Sequence, residues 1–127
     1  MPKQLIATEA APPPQGPYSQ AVAANGVLYL SGQGPNTPSG ERVTGSFADQ
    51  ARLTFENLRA VAEAAGTSLA DAVRVGVYLR DMSNFEEMNA IYTEFFGPRF
   101  PARTTIQSDL PGFDIEVDAV VLLPESS

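Results

Sequence analysis

Apolar positions in this chain change period several times, and those changes divide it into elements. Residues 3–8 predict a first strand. Residues 20–24 and 27–31 flank Asn25-Gly26, the dipeptide that most readily supplies the two positive φ angles of a tight hairpin turn. Residues 47–65 switch to helical spacing, with Phe47, Ala51, Thr54, Leu58, Val61 and Ala65 facing inward, Ser46 as cap with Asp49 three residues on, and Gly66 as stop. Residues 72–79 alternate, placing Val73, Val75, Val77 and Leu79 on one strand face and Arg74, Gly76, Tyr78 and Arg80 on the other. Helical spacing returns over 83–96, burying Phe85, Met88, Tyr92, Phe95 and Phe96. Two last strands, 103–108 and 114–123, are expected to pair as a hairpin across the loop containing Leu110-Pro111-Gly112.

Strand blocks interleaved with two helices predict an α+β domain spanning 1–127, with a mixed sheet carrying both helices on one face. Two helices cannot cover both faces of such a sheet. Yet residues 27–30 and 119–123 are continuously apolar, as strands buried on both sides are, so a second copy of the chain is the simplest cover for the other face. Residues 32–45 hold four glycines and two prolines and read as an irregular loop, while Pro12-Pro13-Pro14 reads as a stiff extended connector.

Composition narrows the chemistry. The 127 residues include no histidine and no cysteine, which removes a cysteine nucleophile, a histidine base and the usual zinc ligands. Eight Lys plus Arg against fifteen Asp plus Glu give a net charge of -7, with the basic residues scattered, so a surface that tracks a phosphate backbone is not expected. No apolar run approaches membrane-spanning length, and the first residues lack a signal-peptide pattern; the chain reads as soluble and cytoplasmic. Neither Gly-rich cluster, 16–20 or 31–35, has phosphate-loop spacing, and ordinary turn chemistry accounts for both.

What remains is carboxylate, guanidinium, hydroxyl and amide chemistry. Arg103, Thr105 and Gln107 share one face of the penultimate strand, and Glu116 and Asp118 share one face of the last. If those strands pair, Arg103 and Glu116 point into the same space. Read from the residues alone, two roles stay open: a cross-strand salt bridge on a solvated face, or a carboxylate clamp beside a proton-moving Glu. Asn89, polar between the core-like Met88 and Tyr92, is either an exposed amide or a binding group.

Taken in order, these segments resemble the RidA/YjgF family of reactive intermediate deaminases. The matching stretches are Gly16-Pro-Tyr-Ser-Gln20, Ser31-Gly-Gln33, Gln50, Asn57-Leu58, Glu63-Ala-Ala-Gly66, Val77-Tyr-Leu79, Asn89 with Tyr92, Phe95-Phe96, Pro101-Ala-Arg103, Leu110-Pro111 and Ile115-Glu116-Val117. The resemblance implies a chorismate-mutase-like fold assembled as a homotrimer, with sites in the clefts between subunits. It implies hydrolysis of 2-imino acids, such as 2-iminobutanoate and 2-iminopropanoate, to 2-oxo acids and ammonia, with no metal or cofactor, no nucleic-acid partner and no membrane. By position it casts Glu116 and Arg103 as catalytic, Arg103 gripping the substrate carboxylate, and Tyr18, Ser31, Gly32, Asn89 and Thr105 as binding residues. Thr105 stands where many members carry cysteine, which removes thiol-based redox activation at that position, and Gly34 stands where many carry a larger apolar residue. The alternative within the same resemblance is a non-catalytic, metabolite-binding trimer; endoribonuclease activity, attributed to some relatives, finds no basic patch or histidine here.

Overall fold

The computed structural model describes residues 2–125. Its strands are β1 (Gln4–Ile6), β2 (Ala21–Ala24), β3 (Val27–Gln33), β4 (Ala72–Leu79), β5 (Ala102–Gln107) and β6 (Ile115–Leu122), and its helices are α1 (Phe47–Ala64) and α2 (Phe85–Phe96). They form one six-stranded sheet in the order β1-β2-β3-β6-β4-β5. Only β4 and β5 pair in parallel; the helix between them carries the chain back to start a parallel neighbour.

The hairpin turn forms as its residues demand, with Asn25 at φ 53° and Gly26 at φ 78°. α1 starts where the Ser46 side chain accepts a hydrogen bond from the Asp49 amide, and Gly66 takes the left-handed φ of +86° just beyond its end. The buried stripe of α1, including Phe55 and Ala62 between the expected positions, packs with Met88, Ile91, Tyr92 and Phe96 of α2 onto the sheet face made by Leu28, Leu30, Val75, Val77, Leu79, Ile115, Val117, Ala119 and Val121. Ala65, Phe85 and Phe95, expected inward, sit half-buried at the rim of this core.

Three expectations are corrected. The expected β5–β6 hairpin does not form, because β6 inserts antiparallel between β3 and β4 and leaves β5 on the edge. The reason is burial: β6 turns Ile115, Val117, Ala119 and Val121 into the core, whereas β5 has no fully buried residue and tolerates an edge position. Val73 points out at 42 % exposure, because the β4–β6 ladder slips between Ala72 and Arg74 and Ala72 takes the inward place. Gly32 and Gln33 extend β3 into the segment expected to be loop, with a second irregularity in the ladder between Leu30 and Gln33.

Both helices lie on one side, and the other sheet face is open. It carries Leu5, Tyr29, Ile106 and Leu122, all about half-exposed or more, around the polar group Glu116, Asp118, Tyr78 and Arg74. No helix among the described residues is long and apolar enough to cross a membrane.

Candidate active site in two halves

Register decides where the predicted site residues fall. Arg103 pairs with Val75, whose side chain enters the core, so Arg103 and Thr105 point to the helix side of the sheet. Glu116 pairs with Tyr78 and Asp118 with Gly76, on the opposite, open side. The expectation that Arg103 and Glu116 share one space within a chain is therefore wrong: β4 lies between their strands and the sheet lies between their side chains. Sequence neighbourhood favoured a hairpin, but the core gave β6 a central position.

The first half surrounds Glu116. Its carboxylate occupies the room left by Gly32, where a built Cβ would run into it, so the irregular stretch of β3 and the missing side chain both serve this approach. Beside them is a cavity of about 150 Å³, walled by Pro12–Pro14, Tyr18, Gly34, Arg42 and Phe113. The Pro-rich segment read as a connector is thus a wall, held by the buried Gln20 amide. That amide accepts from the Thr8 amide at 2.7 Å and donates to Pro12 O at 2.8 Å. Tyr18 is half-exposed, its hydroxyl accepting from the Gln15 amide at 3.1 Å. Ser31 Oγ donates to Ser19 O at 2.6 Å, which ties β3 to the segment carrying Tyr18.

No side chain of the described residues hydrogen-bonds the Glu116 carboxylate. Burial, and secondarily the negative charge of Asp118, push its pKa above the ordinary carboxylate value. Asp118 itself accepts a hydrogen bond from Tyr78 at 3.0 Å, and this bond, with burial, raises the Tyr78 pKa.

The second half surrounds Arg103, on the other side. Its guanidinium carbon lies 4.6 Å from the Tyr92 ring centre and 5.7 Å from that of Phe85, with Nη1 3.9 Å from Met88 Sδ. Such soft contacts hold the plane of the group without neutralising it. The one ion pair among the described residues, Arg52–Glu94, lies elsewhere. A cavity of about 310 Å³ opens here, lined by Asn89, Tyr92, Thr93, Phe100, Pro101 and Arg103. Around it Asn89 Oδ1, Tyr92 OH and Thr105 Oγ1 are buried without a hydrogen-bond partner, and burial raises the Tyr92 pKa. Orphaned polar groups beside an uncompensated cation are costly unless something else meets them.

The predicted residues thus fall into two sets: Tyr18, Ser31, Gly32 and Glu116 in one, Arg103, Asn89 and Thr105 in the other. Sequence reasoning passed over Arg42 and Phe113, which lie in loops with no periodicity to mark them, and treated Tyr92 as plain core. Among the described residues no group of His, Cys, Asp or Glu gathers as a metal site would require.

These features define an α+β protein that presents an uncompensated guanidinium and a half-buried carboxylate in separate cavities. A family model described as endoribonuclease L-PSP matches residues 8–123, and the chain belongs to that family, the RidA/YjgF family. It is 48% identical over 121 residues to the RutC family protein PH0854 of Pyrococcus horikoshii, covering 93% of this chain and 96% of that protein. It is 42% identical over 125 residues to a Dermatophagoides farinae protein named 2-iminobutanoate/2-iminopropanoate deaminase, covering 96% and 98% of the two. Among solved structures, that of E. coli TdcF with bound serine matches with a TM-score of 0.89 at 33% identity, covering 95% of this chain and 99% of that one.

Proposed function

We propose that this chain, as one RidA-like domain, is a hydrolytic deaminase of small 2-imino acids, working in the cytoplasm as a homotrimer whose sites join the Glu116 half of one copy to the Arg103 half of the next. The observation that carries the reading is the separation itself. One half has a cation and orphaned polar groups with no anion, and the other has a carboxylate that no side chain of the described residues hydrogen-bonds. The open apolar sheet face supports assembly, since a second copy seated there would cover Tyr29 and Leu122. The relative named 2-iminobutanoate/2-iminopropanoate deaminase supports the substrate class, and the serine bound to E. coli TdcF supports a ligand with an α-carboxylate.

In this reading Arg103 grips the substrate carboxylate with its planar fork, while Asn89 and Thr105 meet the polar edge of the ligand. Glu116, with its pKa raised by burial, retains its proton to a higher pH than an exposed carboxyl and donates it to the imine nitrogen. The resulting carboxylate then takes a proton from water as the water oxygen bonds to C2. In the tetrahedral adduct Glu116 passes that proton to nitrogen, the C2–N bond breaks to release ammonia, and the hydroxyl proton returns to the Glu116 carboxylate as the C=O bond forms. Imine and water become 2-oxo acid and ammonia. Imines hydrolyse readily in water, so orientation and desolvation are the protein's main contribution.

The test is the decay of 2-iminobutanoate, generated in situ by a threonine dehydratase and followed by semicarbazide trapping. Wild type should accelerate it, and Glu116→Ala should lose about 10²–10⁴-fold, the range of a general acid–base residue. A wild-type rate equal to the protein-free rate, together with binding of 2-oxo acids, would replace this reading with the non-catalytic one. RNA cleavage is not expected from a chain with a net charge of -7 and no clustered cations.

A further inference from the structure

We propose that Arg42 makes the Glu116 cavity a second anion-binding subsite, so that the imino acids this protein takes best carry a second carboxylate at the far end of the side chain. The proposal rests on the deaminase reading for its reaction, but its binding consequence stands apart from catalysis.

Arg42 is a cation that the fold positions and leaves uncompensated. Its guanidinium carbon lies 4.3 Å from the Phe113 ring centre, Nε donates to Asn36 Oδ1 at 2.8 Å, and Nη1 donates to Pro111 O at 3.2 Å. Nη2 meets no acceptor among the described residues. One face and one edge of the group are therefore held, and the remaining donors are free for a planar anion. Arg42 and Glu116 line the same cavity without forming an ion pair.

The surrounding loops are fixed. Asn36 and Arg42 bridge their backbones, and the buried Asn57 amide of α1 donates to Gly34 O at 3.1 Å and Asn36 O at 2.7 Å. On the other side Gln50 of α1 accepts from the Asp114 amide at 2.9 Å and donates to its carboxylate at 3.0 Å, next to Phe113. A subsite held from both loops loses little freedom when a ligand arrives. Gly34 supplies the room, because a Cβ there would already lie 3.6 Å from the Phe113 ring and anything longer would grow into the cavity. A substrate gripped at C1 by Arg103, with C2 beside Glu116, has its side chain left to run toward Arg42. Arg42 is exposed, so beside an apolar side chain those donors stay with water; a carboxylate two or three bonds on would replace that water with a charge-assisted contact.

The test titrates 2-oxoglutarate and 2-oxobutanoate into the full chain by calorimetry, and compares hydrolysis of 2-iminoglutarate, made in situ by a glutamate oxidase, with that of 2-iminobutanoate. Wild type should favour the dicarboxylate in both assays. Arg42→Gln should erase most of that preference, lowering 2-oxoglutarate affinity about tenfold more than 2-oxobutanoate affinity, as loss of a charge-assisted contact does. Arg42→Lys should keep part of it, and Gly34→Ile should weaken dicarboxylate binding with Arg42 intact. Equal losses for both ligands in Arg42→Gln, or no dicarboxylate preference in wild type, would overturn the proposal. Failure to hydrolyse any imine, with an Arg42-dependent preference for 2-oxoglutarate retained, would overturn the deaminase reading and keep the subsite.

Discussion

The Arg103 and Glu116 halves are built by opposite means. Arg103 sits on an edge strand against aromatic rings and a thioether, which fix a cation's plane while leaving its charge unspent. Glu116 sits on a central strand against Gly32, where burial and secondarily the neighbouring Asp118 make its charge expensive. The Arg103 cavity has no carboxylate in its lining, and Glu116 has no hydrogen-bond donor among the described side chains around it. Such a division teaches that two residues expected to face one another can be set on opposite sides of a sheet by strand order alone.

The largest expected effect is in mixed oligomers. Arg103→Ala and Glu116→Ala should each be nearly inactive, yet co-assembled in equal amounts they should recover about one quarter of wild-type imine hydrolysis, since about a quarter of shared sites would hold both residues. No recovery in confirmed mixed oligomers would refute the shared site. Next in size, Arg103→Lys should lose on the order of 10²-fold in kcat/KM, because an ammonium on a flexible stem cannot reproduce a stacked planar fork. Near-normal turnover by that variant would remove the clamp.

The Glu116 half is sharpened by smaller effects. Gly32→Ala should lower kcat roughly tenfold, read in the same trapping assay, because its Cβ displaces the carboxylate it now accommodates. Smallest is a stability effect. A carboxyl whose folded pKa is raised binds its proton more readily when folded, so its contribution favours the folded state at low pH and is lost as pH rises through the folded pKa. Glu116→Gln should accordingly melt above wild type at pH 7, and the gap should close as pH falls toward 4. A constant gap across that range would mean that the Glu116 charge does not carry the cost.

Much of the fold was legible because its signals are local. The Asn25-Gly26 turn, the Ser46 cap, the Gly66 stop and the alternation from Val75 to Leu79 each depend on residues within a few positions of one another. Val73 was misread because one extra residue in the β4–β6 ladder reverses the facing, and the slip is set by the partner strand. Tyr92 was read as core, which it is, but its second role under Arg103 depends on how α2 lies across β5. Arg42 carried no signal at all: its place beside Phe113 is made by two loops 69 positions apart from Arg42 to Pro111.

Composition alone limits the chemistry to carboxylate, guanidinium, hydroxyl and amide groups, a single lysine and a few tyrosines, and local pattern suffices for most elements and for the Asn25-Gly26 hairpin, because backbone preference and apolar period are short-range properties. The place of β6 between β3 and β4, the opposite facing of Glu116 and Arg103, and the walling of the carboxylate's cavity by Pro12–Pro14 and Arg42 come from the folded chain. Strand order is chosen by which apolar faces can be buried together, and that is a property of the whole sheet.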